Sequence, residues 1–198
     1  HATKYDPTDH AGWYNLGLSL QRQDRYEEAE QAYTQALALE PEDPSAFNNL
    51  GNSLRSQGKT CEAEQAYLSA IDLAPDQARY RDNLAMVLID QNKYFEAEQS
   101  SRLAIDIDPN HLNVWFNLGL ALWEQEKVEE AESCYLKAID LEPLNGLAWY
   151  NLGVLLSGRN DHEQAEDAYR RCTTIDPSSV DAWFNLGSML NEQSRYSE

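Results

Sequence analysis

Basic residues are scarce in this chain: 15 lysines and arginines stand against 34 aspartates and glutamates, giving a formal charge of -19. Such a field repels nucleic-acid phosphates and anionic membrane surfaces, so neither is expected as a partner and neutral to basic protein segments are favoured. The sequence contains no run of 18 apolar residues, which leaves no candidate membrane span, and its first residues lack the basic-then-apolar order of a secretion signal. Cysteine is also sparse. Cys61, Cys134 and Cys172 are odd in number and unrelated in position, which points to free thiols in a reducing compartment, the cytoplasm by default.

Signatures of catalysis are missing as well. Gly58, Lys59 and Thr60 match the end of a phosphate-binding loop, but Ser53 stands where its first glycine is required. Asp106, Asp108 and Asn110 mimic half a calcium loop, yet Pro109 and His111 occupy positions where that loop needs free backbone and glycine. His1, His10, His111 and His162 pair with no cysteine at ligand spacing. No cofactor, no metal and no enzymatic activity are therefore expected of this chain.

What is present is a period. Prolines recur at Pro7, Pro41, Pro75, Pro109, Pro143 and Pro177, always 34 residues apart. Leucine repeats at the same interval from Leu16 to Leu186, and alanine from Ala29 to Ala165. A fixed period of this length signals a solenoid. In the copy at 112–145, Trp115, Leu118, Gly119 and Leu122 form one helical stripe, and Val128, Ala131, Tyr135 and Ala138 form a second that Pro143 ends. Two antiparallel helices per unit are predicted, each pair stacking on the next because one hairpin cannot cover its own apolar faces. The units are placed at 10–43, 44–77, 78–111, 112–145 and 146–179. Residues 1–9 read as the tail of an earlier copy and 180–198 as the first helix of a sixth. A chain phased this way is expected to be cut from a longer array, with end-to-end self-association through its uncovered stripes.

The first copy carries Trp13, Leu16, Gly17, Leu20, Ala29, Tyr33, Ala36 and Pro41, and the second carries Phe47, Leu50, Gly51, Leu54, Ala63, Tyr67, Ala70 and Pro75. This pattern resembles the tetratricopeptide repeat over essentially the whole chain. The resemblance implies an all-α fold, a right-handed superhelix or α-solenoid of antiparallel helix pairs, with first helices lining a concave side that binds extended peptides. The third copy departs most, with Arg81, Ala85 and Ser101 in place of tryptophan, glycine and tyrosine, and its packing is expected to differ. Cys172 replaces an alanine in the fifth.

Asparagine occupies one column in all six copies: Asn15, Asn49, Asn83, Asn117, Asn151 and Asn185. It is a mediocre helix former, so its persistence asks for a reason. An amide donates and accepts, as a peptide group requires, so a ladder of them can hold an extended chain by its backbone. The opposing reading is that each amide bonds a neighbouring helix. The ladder is similar to that in the repeat arm of the O-linked N-acetylglucosamine transferases, where it recruits protein substrates. Beside it stand Tyr14, Asn48, Arg79, Asp82, Phe116, Leu120, Trp123, Tyr150 and Phe184, expected to line the same groove, with the aromatics as anchors. The carboxylate clamp of chaperone-binding arrays is not expected, since Tyr14, Asn48 and Asp82 replace its basic residues. The leading expectation is thus a non-catalytic peptide-binding scaffold; the alternative is the substrate-recruiting arm of a larger enzyme such as a glycosyltransferase.

Overall fold

The computed structural model describes residues 8–192, and the chain divides into two compact units, His1–His111 and Leu112–Glu198. Among the described residues every regular element is an α-helix. The first unit contains α1 (His10–Gln21), α2 (Tyr26–Leu39), α3 (Pro44–Ser56), α4 (Thr60–Leu73), α5 (Ala78–Asp90) and α6 (Tyr94–Ile107). In the second lie α7 (Leu112–Trp123), α8 (Val128–Leu141), α9 (Gly146–Gly158), α10 (His162–Ile175) and α11 (Val180–Glu192). Consecutive helices pack on one another within each unit, the pattern of an α-solenoid.

The turns inside each helix pair are built the same way five times. The amides of Arg25, Lys59, Lys93, Lys127 and Asp161 donate to the carbonyls of Leu20, Leu54, Leu88, Leu122 and Leu156, closing a helix end through a left-handed residue. That residue is Asp24, Gly58, Asn92, Glu126 or Asn160, with φ between 57° and 76°. Glycine takes this conformation freely, and aspartate and asparagine tolerate it, but glutamate has neither advantage. Glu126→Gly is therefore expected to stabilise the protein by about 0.5–1 kcal/mol, read as a higher urea midpoint.

Small residues set how closely the paired helices approach. Ala29, Ala63, Ala97, Ala131 and Ala165 on the second helices are completely buried. Across from them a glycine faces a tyrosine ring: a Cβ on Gly17, Gly51, Gly119 or Gly153 would stand 2.6–2.7 Å from a carbon of Tyr33, Tyr67, Tyr135 or Tyr169. The third pair solves the same contact differently. Ala85 supplies a methyl where glycine stands elsewhere, Ser101 supplies a small side chain where tyrosine stands, and both are fully buried. The two departures in the sequence are thus one compensated change. Their remaining partner, Arg81, borders an open space lined also by Leu84 and Leu88.

Candidate functional site

The ladder asparagines are the sixth residues of α1, α3, α5, α7, α9 and α11, but they do not all do the same thing. In the first unit they join a hydrogen-bonded chain across three helices. Asn83 Nδ2 donates to Asn48 Oδ1 at 2.7 Å, Asn48 Nδ2 donates to Asn49 Oδ1 at 3.4 Å, and Asn49 Nδ2 donates to the Tyr14 hydroxyl at 2.9 Å. Two of the three donors thus serve a neighbouring first helix, and that of Asn48 serves its own. Asn48 is only 6% exposed and Asp82 only 3%. The sequence pattern places both on an open wall, but both are buried, Asn48 under its bond from Asn83 of α5 and Asp82 beside His111. His111 Nδ1 lies 3.9 Å from Asp82 Oδ2. Asn15 is exposed. Arg79 lies over the Tyr80 ring at 4.8 Å and donates to its hydroxyl at 3.0 Å.

In the second unit the column beside the ladder becomes aromatic, with Phe116, Tyr150 and Phe184 in place of Tyr14, Asn48 and Asp82. A phenylalanine ring offers no hydroxyl, amide or carboxylate to a neighbouring asparagine. Asn151 on α9 is half-buried, and among the described residues no hydrogen bond of its side-chain amide is found. It lines a pocket of about 210 Å³ together with Leu120, Trp123 and Glu124 of α7, Tyr135 of α8, and Val154 and Leu155 of α9. Three of the residues picked out in the sequence, Leu120, Trp123 and Asn151, therefore come together. Trp123 also touches the far end of α9, where a Cβ on Gly158 would meet its ring at 2.9 Å. It is at once a pocket wall and a contact between first helices.

The sequence pattern marks Tyr135 only as a packing residue, and nothing in that pattern places it at this pocket. Burial pushes its hydroxyl well above the ordinary tyrosine range, with Cys134 and Glu124 adding to the effect, so it remains a protonated donor. Among the described residues no hydrogen-bond partner of this hydroxyl is found. The corresponding hydroxyls elsewhere are held: Tyr33 donates to Gln21 Oε1 at 2.9 Å and Tyr67 to Asn52 Oδ1 at 2.8 Å. Burial and the nearby Tyr150 push Tyr169 up to about 12, against hydrogen bonds from Asn185 and Ser157.

The other predicted site residues are dispersed. Tyr150 lines a separate pocket of about 150 Å³ with Leu147, Cys172 and Asp181. Phe184 is 72% exposed on α11, and Asn117 is half-buried on α7. Among the described residues no group of histidine, cysteine and acidic side chains is placed to hold a metal ion, and no helix is long and apolar enough to cross a membrane.

The sequence profile of the tetratricopeptide repeat matches residues 14–78, 49–111, 116–179 and 158–198. The chain belongs to the tetratricopeptide repeat family. Tetratricopeptide repeat proteins are generally protein-interaction scaffolds that bind peptides or proteins and carry no chemistry of their own. Solved structures of the same fold include YrrB, described as a tetratricopeptide repeat protein with an unusual peptide-binding site, at 21% identity, with 90% of this chain and 92% of that one covered and a TM-score of 0.70. A thermophilic tetratricopeptide repeat protein of Thermus thermophilus is 18% identical, with 92% and 100% covered and a TM-score of 0.75. The PilF protein of Pseudomonas aeruginosa is 20% identical, with 95% and 87% covered and a TM-score of 0.82. None of the curated proteins compared with this chain matches it in sequence.

Proposed function

We propose that this protein is a peptide-binding scaffold and that the pocket between α7 and α9 is where it takes the backbone of an extended protein segment. The observation that carries this reading is the pair of polar groups without protein partners, the Asn151 amide and the Tyr135 hydroxyl, beside Leu120, Trp123 and Val154. Half-buried polar groups are normally satisfied, and an amide with a neighbouring hydroxyl offers what a peptide group needs. Leu120 and Trp123 supply apolar contact for a side chain, and Glu124 favours a neutral or basic residue. The peptide-binding site described for YrrB, a protein of the same fold, supports the reading. In this view the ladder is divided in labour: Asn49 and Asn83 stiffen the first unit, and Asn151 is free for a ligand.

A library of immobilised twelve-residue peptides identifies the best binder, and calorimetry then measures it. Asn151→Ala is expected to weaken that binder by about two- to tenfold, the loss of a hydrogen bond worth about 0.5–1.5 kcal/mol, with the melting temperature unchanged. Unaltered affinity in Asn151→Ala would overturn the assignment of this pocket.

A further inference from the structure

The third helix pair carries a second, unrelated opening. Where the other first helices place Trp13, Phe47, Trp115, Trp149 and Trp183, α5 places Arg81, and beside it lies a pocket of about 280 Å³. Arg81, Leu84 and Leu88 form its floor along α5, Leu68 of α4 and Leu103 of α6 form its walls, and Ser100 stands near Arg81. The Ser100 hydroxyl is occupied, donating to the Arg81 carbonyl at 2.8 Å. The other charged residues of the lining are Lys93, whose Nζ lies 2.8 Å from Glu64 Oε2, and Glu96, for which no ion pair is found among the described residues. Burial raises the Glu64 pKa, but hydrogen bonds from Lys93 and Gln91 outweigh it and hold this carboxylate below its usual range.

Arg81 is different. Among the described residues no salt bridge or side-chain hydrogen bond of its guanidinium is found, and its Nε is buried without a partner. Among the described residues six other arginines have a carboxylate, including Arg25 with Glu28, Arg55 with Asp90, Arg102 with Glu98 and Arg159 with Glu132; Arg22 and Arg79 have none, but neither of them has a buried unpaired nitrogen. A buried guanidinium nitrogen left unpaired is costly, and a carboxylate is the group that matches it best. Leu68 and Leu103 are 37% and 48% exposed, so the trough is open along its side, and a lone hydrocarbon chain lying in it stays half in water. A partner protein supplies the missing cover as well as the acid.

We infer that this trough docks an acidic-and-apolar segment of a partner protein, with a carboxylate on Arg81 and leucine-like side chains over Leu84 and Leu88. From Arg81 to Leu88 the floor runs about 10 Å, seven residues at 1.5 Å each, so the spacing suits a helical segment with its acid at one position and apolar residues three and seven positions later. The site lies in the first unit and does not depend on the Asn151 pocket.

The test uses the whole chain, labelled with ¹⁵N, and two blocked fourteen-residue helical peptides with that spacing, one bearing glutamate at the acidic position and one glutamine. Octanoate serves as a third ligand. The glutamate peptide is expected to saturate with shifts confined to residues 64–103 and to bind at least tenfold more tightly than the glutamine peptide. Arg81→Trp restores the residue type of the other copies, fills the trough and should abolish binding, with folding checked by circular dichroism; Arg81→Gln should lower affinity at least tenfold without filling it. Equal binding of the two peptides, binding that survives in Arg81→Trp, or no saturable binding of either peptide would overturn the inference. Saturation by octanoate alone would also overturn it, in favour of a free amphiphilic acid.

Discussion

Ser101→Tyr is expected to lower stability by about 2–3 kcal/mol, whereas the same substitution made together with Ala85→Gly should recover most or all of that loss. The reason is one contact. In the four pairs that carry glycine and tyrosine, a Cβ on the glycine would lie within 2.6–2.7 Å of a ring carbon, closer than two carbons can stand. With Ala85 in place, a tyrosine at position 101 meets such a methyl in a site that is already fully buried, so the ring or the helix must move. Removing the methyl restores the arrangement of the other pairs, while the tyrosine itself replaces the Ser101 hydroxyl, which is buried without a partner. Urea unfolding of the two single variants and the double variant measures the coupling. A coupling near zero would show that the ring finds another site and that the two departures are independent.

Asn48→Ala should cost about 1–3 kcal/mol, because it strips partners from both neighbours at once. Asn83 Nδ2 loses its acceptor at 2.7 Å, and Asn49 Oδ1 loses its donor. For a chain of this size that is a fall of several degrees in melting temperature, at about 2–4 °C per kcal/mol. Asn83→Ala, which removes the donor, should be partly redundant with it, so the double variant should lose less than the sum. Asn151→Ala should leave the melting temperature where it was. A strictly additive pair at positions 48 and 83, or a destabilised Asn151→Ala, would contradict the division of the ladder into structural and ligand-facing members.

Much of this protein was decided by its sequence alone, because a 34-residue period constrains every copy by the same local chemistry. Proline, glycine, alanine and tyrosine at fixed positions specify helix ends and close helix approach, and these are effects of range no longer than one helix pair. The all-helical class, the pairing of consecutive helices and the tetratricopeptide repeat family follow from them. The tertiary structure decided what each copy of the asparagine column does. Sequence shows six identical residues, but whether an amide is spent depends on the side chain opposite it on the preceding first helix: Tyr14 and Asn48 accept from Asn49 and Asn83, and a phenylalanine has nothing with which to accept. Burial of Asn48 and Asp82, the place of Tyr135 at a pocket, and the open trough at Arg81 are likewise properties of neighbouring helices. A one-dimensional pattern records which face of a helix a residue occupies; only the packed neighbours determine whether that face is covered, bonded or left for a partner.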